Sequence, residues 1–225
     1  MQPTILYCYD AYCGWCYGFS PVIKKFSESY RDKFNFEVLS GGMIISETPK
    51  PISVMAAYIQ KAYTVVEERT GIKFGSDFLW HINNPDKSDW LLNSEKSAIA
   101  LCVFKDYYPG QQVAFASDLQ YAFNFEGRDL CDDEAYRHLL EKYVIPADDF
   151  YRKLRSEEYK EKAYYEFALV KQLQVTGFPA VLLQASETKF YLIARGYTDY
   201  EALKERVENI LKELQPALDH GDATS

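Results

Sequence analysis

Cys13-Gly14-Trp15-Cys16 is the stretch of this chain best equipped for chemistry. Two thiols one helical turn apart can interchange between a dithiol and a disulfide. The segment follows a strand-like run and opens a helix. The first sulfur therefore sits where unpaired backbone N–H groups and the positive end of the helix dipole favour an anion. The thiolate is the attacking species. For a thiol, a fall in pKa from about 8.5 to about 7 raises the thiolate fraction at neutral pH from roughly 3% to roughly 50%. The dipole alone contributes about 0.3–1 kcal/mol, less than one pKa unit, so local hydrogen bonds must supply the rest. The second thiol, one turn further in, is placed to attack a mixed disulfide formed at the first.

The same cysteines allow a binding module in place of an enzyme. A zinc site lacks its second half, because no other Cys-x-x-Cys exists and His81, His138 and His220 are scattered. Cys8, Cys13 and Cys16 also match the C-x4-C-x2-C spacing of plant-type iron–sulfur sites, with Cys102 or Cys131 as fourth ligand. Tyr and Trp in the intervals, and a helix start between the ligands, argue for the redox pair. A second signal is Thr176-Gly177-Phe178-Pro179 before a strand. Proline is tolerated there only at a strand's first residue or edge, and aromatic–proline pairs are candidates for a cis bond.

The elements that must position these groups follow from periodicity. Thr4 to Tyr9 reads as a strand, Cys13 to about Arg31 as a helix with Val22, Ile23 and Phe26 on one face, and Phe34 to Leu39 as a second strand closed by Gly41-Gly42. Ile52, Met55, Ala56, Ile59, Ala62, Tyr63 and Val66 have helical spacing, and Gly71 stops them. Phe74 to Asn93 reads as loop; Trp80, His81 and Trp90 in it could roof a groove or simply fill surface and core. Ser94 to Tyr107 and Gln112 to Phe125 are apolar nearly all round and read as buried helices. Asp133 to Tyr143 is a shorter one. After Ser156 a helix carries Ala163, Phe167, Val170 and Leu173 inward. Ala180–Gln184 and Phe190–Ala194 form a hairpin, and a Thr198–Glu201 capping box opens a last helix that Pro216 ends. The order β-α-β, helical block, α-β-β-α outlines an α/β fold with a mixed sheet and a large all-helical insertion.

Composition fits that outline. Of 225 residues 48% are apolar and 26% charged, with 19 Tyr and a net charge of −8. An acidic chain without a basic block is a poor partner for a phosphate backbone. No charge-free stretch, Ala11 to Ile23 included, is long enough for a membrane-spanning helix, which needs roughly 18 apolar residues. With Met1 as the natural start there is no basic leader, and the expected location is the cytoplasm. Five cysteines there point to catalysis, metal binding or burial rather than a disulfide scaffold.

Four features in the right order carry a resemblance: Asp10-Ala11-Tyr12-Cys13-Gly14-Trp15-Cys16, Pro21 within the first helix, Gly41-Gly42-Met43 after the second strand, and Phe178-Pro179. The chain resembles the thioredoxin superfamily, and within it the DsbA-like proteins, in the cytoplasmic branch of predicted protein-disulfide isomerases that includes FrnE-like proteins. The resemblance implies a thioredoxin-like domain from 1–45 and 156–218, a helical insertion over 46–155 and a loose tail at 219–225. It implies that Cys13 attacks and Cys16 resolves, that Pro179 is cis and faces them, and that the Phe178 backbone pairs with an extended substrate. Tyr12, Gly14 and Trp15 complete the motif, Trp15 as the foremost substrate contact. Asp10 either assists proton transfer near Cys16 or caps the turn after the strand. Cys8 and Cys102 are expected in the core, and carboxylates beside Cys131 oppose its ionisation. No metal or organic cofactor is implied. Partners would be protein or small-molecule disulfides, with glutathione a candidate co-substrate and an electron donor not identified. A Gly-Trp dipeptide, without the His of strongly oxidising DsbA proteins, predicts a less oxidising pair. The rival enzyme reading is a glutathione-dependent transferase or isomerase of kappa-like architecture, whose members keep Ser or a lone reactive residue at this place.

Overall fold

The computed structural model describes residues 2–214. Strand β1 (Thr4–Tyr9) leads into helix α1 (Gly14–Tyr30) and then β2 (Asn35–Ser40); the chain returns late to add β5 (Ala180–Gln184) and β6 (Phe190–Arg195). The four strands lie in the order β2-β1-β5-β6. β1 runs parallel to β2 and antiparallel to β5, and β5 and β6 form the expected antiparallel hairpin.

β1 is buried on both faces, which explains its unbroken apolar run. Because side chains alternate along a strand, Ile5, Tyr7 and Tyr9 join the main core, whereas Leu6 and Cys8 join a smaller cluster on the other face. Helices α1 and α9 (Tyr200–Leu214) contribute Ile23, Phe26, Leu203 and Val207 to the first. Helix α8 (Glu157–Gln172) covers the second with Val170 and Leu169.

β2 is an edge, and its unpaired backbone groups are met by side chains. Val38 N–H donates to Gln112 Oε1 at 2.9 Å, Ser40 N–H donates to Glu166 Oε2 at 2.8 Å, and Lys105 Nζ donates to Val38 O at 2.5 Å. Such cover denies the edge to another strand.

Between β2 and α8 lie α2 (Ser53–Thr70), α3 (Ser76–Asn83), α4 (Ser94–Tyr107), α5 (Gln112–Asn124), α6 (Glu134–Lys142) and α7 (Ala147–Leu154). A two-residue antiparallel ladder of β3 (Lys50–Pro51) with β4 (Leu91–Leu92) accompanies them. Two sequence expectations need correction. The stretch read as loop after Phe74 contains α3, held by buried Phe78 and Ile82; it is too short to show more than two turns of periodicity. Of the two readings offered for Trp90, the core one holds: it is buried, stacked on His81 at 3.8 Å. The last helix is capped by Asp199, whose Oδ1 accepts from Ala202 N–H at 2.8 Å, while the Thr198 hydroxyl turns back to Gly196 O. Pro216 and the tail at 219–225 lie outside the described residues.

Candidate active site

Cys13 is the N-cap of α1, and its extended backbone (φ −84°, ψ 109°) lets its sulfur turn over the first turn of the helix. The Cys16 N–H donates to Cys13 Sγ at 3.4 Å, and the Cys13 thiol reaches Phe178 O at 3.6 Å. This is the N-cap position at a helix mouth that the sequence predicts for the first thiol. Both thiols are free. Cys13 is 6% exposed and borders an apolar cleft, whereas Cys16 is fully buried. Burial first, and then the neighbouring Cys13 sulfur, push the Cys16 thiol well above its ordinary range. The backbone N–H of Asp10 works against that rise and the Asp10 charge adds to it.

The two sequence segments separated by some 160 residues meet here through glycines. The Phe178–Pro179 peptide is cis, at the start of β5. The Phe178 ring lies over Gly41, where a Cβ would run into it; the close approach requires glycine. Gly42 follows with φ +62° against Phe167. The Gly-Gly pair after β2 thus seats the Phe178 segment opposite Cys13.

Asp10 does the work of a strand-end cap, and more. Its Oδ1 accepts from Tyr12 N–H and the Ser94 hydroxyl, both at 3.0 Å, and its Oδ2 accepts from Met43 N–H at 2.7 Å. Burial raises its pKa while these three donors oppose the rise. One buried carboxylate therefore ties the Cys13 loop, the Gly-Gly loop and the start of α4 together. Tyr12 is buried, its ring edge-on to Phe123 at 4.7 Å and its hydroxyl 3.5 Å from Cys131 Sγ. Gly14 packs against Phe74, and Trp15 is half-buried at the cleft wall. Cys8 belongs to the opposite face of the sheet, its thiol pushed up to about 12 by burial and then by Glu166. The iron–sulfur spacing is therefore not realised: Cys8 points away from the pair. Cys102 is buried against Glu166 at 3.4 Å.

Sequence reasoning missed the other wall of the cleft. Met55, Ile59, Ala62 and Tyr63 of α2, read only as helically spaced, line it together with Cys13, Trp15, Phe74 and Phe123. No Asp, Glu, Lys, Arg or His is among the described residues lining it. No periodic pattern separates a helix face turned to a cleft from one turned to a core. Among the described residues no cluster of three His, Cys, Asp or Glu could hold a metal ion.

The strand order, the dithiol at a helix mouth, and the helical block between two halves of the sheet define a thioredoxin-fold protein with an insertion. The chain belongs to the DSBA-like thioredoxin domain family, whose model matches residues 4–208. That family is one of thiol–disulfide oxidoreductases. No curated protein matches the sequence significantly. Among solved structures, a protein from Nitrosomonas europaea proposed to be a disulfide isomerase is 26% identical with a TM-score of 0.83, over 95% of this chain and 99% of that one. The cytosolic disulfide reductase DsbM from Pseudomonas aeruginosa is 20% identical with a TM-score of 0.74, over 93% and 98%. A 2-hydroxychromene-2-carboxylate isomerase shares the fold at 13% identity, TM-score 0.60, over 99% and 100%.

Proposed function

We propose that this protein is a thiol–disulfide exchange enzyme of the reductase or isomerase type, in which Cys13 attacks and Cys16 resolves. The observation that carries this reading is the asymmetry of the two sulfurs. Cys13 stands at the helix mouth with an N–H aimed at it and borders the cleft, whereas Cys16 is sealed behind it with its thiol held protonated. The Cys13 thiolate attacks a substrate disulfide, one S–S bond forming as the other breaks and a thiolate leaving. Cys16 then gives up its proton and attacks the Cys13 sulfur. That closes Cys13–Cys16 and releases the second thiol, so two electrons and two protons pass to the substrate.

The apolar cleft favours substrates whose groups beside the disulfide are uncharged and apolar, and the backbone of Phe178 and cis Pro179 offer an extended segment a strand to pair with. We place the protein in the cytoplasm with glutathione as its small-thiol partner. DsbM, a cytosolic disulfide reductase, has also been solved with GSH, and the chain matches that structure at TM-score 0.72. No described helix is long and apolar enough to cross a membrane. The Cys16→Ser variant should accumulate mixed disulfides through Cys13 when mixed with cell extract, and Cys13→Ser should accumulate none. Equilibration of the wild-type pair with glutathione should give a potential nearer about −270 mV than about −120 mV. Activity that survives Cys16→Ser but depends on glutathione would replace this reading with the kappa-like one.

A further inference from the structure

Within the exchange reading, Cys16 must ionise in a place that water does not reach. Its sulfur is fully buried, and burial is the largest cause of its raised pKa. A buried thiolate needs a donor close by, since charge-assisted hydrogen bonds are roughly twice as strong as neutral ones and the low local dielectric magnifies them.

Tyr7 meets that need. It lies on β1 on the same face as Tyr9, 1% exposed, its ring fixed by Tyr9 at 5.6 Å and Phe19 at 5.9 Å. Its hydroxyl has no hydrogen-bond partner among the described residues. Nearly all buried hydroxyls are paired, and an orphan lowers stability, so this one calls for an explanation. Its ring meets α1 at Phe19, three residues after Cys16 and buried with it on that helix, and after burial itself the sulfurs of Cys16 and Cys13 are the groups that push the Tyr7 phenol well above its ordinary range. Such a phenol keeps its proton, so its O–H remains available to donate.

The titratable groups facing the Cys16 sulfur are Cys13 from α1 and Tyr7, Tyr9 and Asp10 from β1. Behind Tyr9 stand Cys102 of α4 and Glu166 of α8. The Asp10 carboxylate is committed to three other donors. Of these side chains, Tyr7 is the one whose hydroxyl is fully buried without a hydrogen-bond partner among the described residues.

We propose that Tyr7 is a catalytic residue: its hydroxyl donates a hydrogen bond to the Cys16 thiolate as that thiolate attacks the mixed disulfide on Cys13. This rests on the exchange reading above. In the resolving step the Cys13–Cys16 bond forms and the bond from Cys13 to the substrate sulfur breaks. The departing thiolate takes up the proton that Cys16 gave away. The Tyr7 proton stays on its oxygen throughout, and no further oxidant or reductant enters.

The test is a rapid-mixing experiment with a dithio-bis-nitrobenzoate probe. A first phase loads thionitrobenzoate on Cys13, and a second releases it as Cys16 attacks. In Tyr7→Phe the second phase should be about tenfold or more slower at neutral pH, with its rise in rate displaced to higher pH, while the first phase is unchanged. The fold should survive, because the variant keeps the ring and removes only an unpartnered hydroxyl; its urea midpoint should equal or exceed that of wild type. A second phase with wild-type rate and pH profile would overturn the role of Tyr7, as would equal slowing of both phases without a pH displacement. Cys16→Ser separates the two claims: it should load and not release, and release at the wild-type rate would sink the exchange reading itself.

Discussion

Helices α2 and α4 come from the same insertion and both carry many apolar residues, yet they serve opposite ends. In α4 every position from Ser97 to Phe104 is buried. In α2 only Ala56 and Val66 are, and Val54 and Tyr58 stand 60% and 63% exposed. α4 is wedged between α5 and α8, with Phe104 stacked on Phe115 at 4.0 Å. α2 crosses α1 closely where Gly18 lets Val66 and Thr70 approach, packs on α3, and turns part of its apolar face to the cleft beside Cys13. One helix has its apolar surface consumed by folding; the other keeps it available for a ligand. Where apolar surface ends up therefore depends on the neighbours available to cover it, not on how much of it a helix carries.

The largest effect that should separate the two helices is on stability. Phe104→Ala removes a fully buried ring stacked on Phe115 and edge-on to Tyr143 at 4.8 Å, and should cost about 3–5 kcal/mol in urea unfolding. Tyr58→Ala on α2 should cost less than about 0.5 kcal/mol. Comparable losses at the two positions would show that α2 is packed as α4 is.

A smaller difference should appear with pH. α4 carries a buried thiol, Cys102, and α2 carries none. Burial, followed by Glu166, holds the Cys102 pKa far above its unfolded value. A raised folded pKa means that the folded state keeps a proton the unfolded chain loses. The stabilisation is complete below the unfolded pKa and is lost as pH climbs towards the folded one. Between about pH 7 and 9.5 the reduced protein should lose up to about 1.4 kcal/mol through this group. Cys102→Ala should make the urea midpoint less sensitive to alkali by that amount; an unchanged slope would show that the thiol titrates as it does in the unfolded chain.

Much of the scaffold was legible from residue patterns. The four strands of the main sheet, α1, α4 and α5 stand within a residue or two of where periodicity and turn residues place them, because each carries a full period and a clear stop. Gly71 does end α2, in a left-handed conformation with its N–H on Glu67 O at 2.9 Å. What escaped depends on long-range contact. α3 is two turns long and owes its existence to Phe78 and Ile82 finding the core. The cap at Asp199 stands beside Thr198, itself a favoured N-cap residue type, and only the packed helix shows which of the two is used. At the site, the cysteines and the Phe178–Pro179 pair were readable as local motifs. That Asp10 bridges to Met43 and Ser94, that Gly41 clears the Phe178 ring, and that Tyr7 is left without a partner are facts of tertiary packing with no local signature.

The smallest expected effect bears most directly on the difference between the helices. Ala62 is half-buried on α2 and borders the cleft opposite Cys13. A carboxylate there would sit among apolar side chains with solvent on one side, so it need not be desolvated fully and the fold should tolerate it. Substrate, by contrast, would have to approach that charge. Ala62→Glu should lower the specificity constant for an uncharged, apolar disulfide peptide by about three- to tenfold, roughly 0.7–1.4 kcal/mol in transition-state binding. It should change that for a lysine-flanked peptide less, or in the opposite sense, since the new charge attracts it. The ratio of the two constants isolates the cleft from any general weakening of the enzyme. If Ala62→Glu depressed both substrates equally, α2 would be acting on the stability of the site, and the apolar wall would be core left unfinished rather than a surface for substrate.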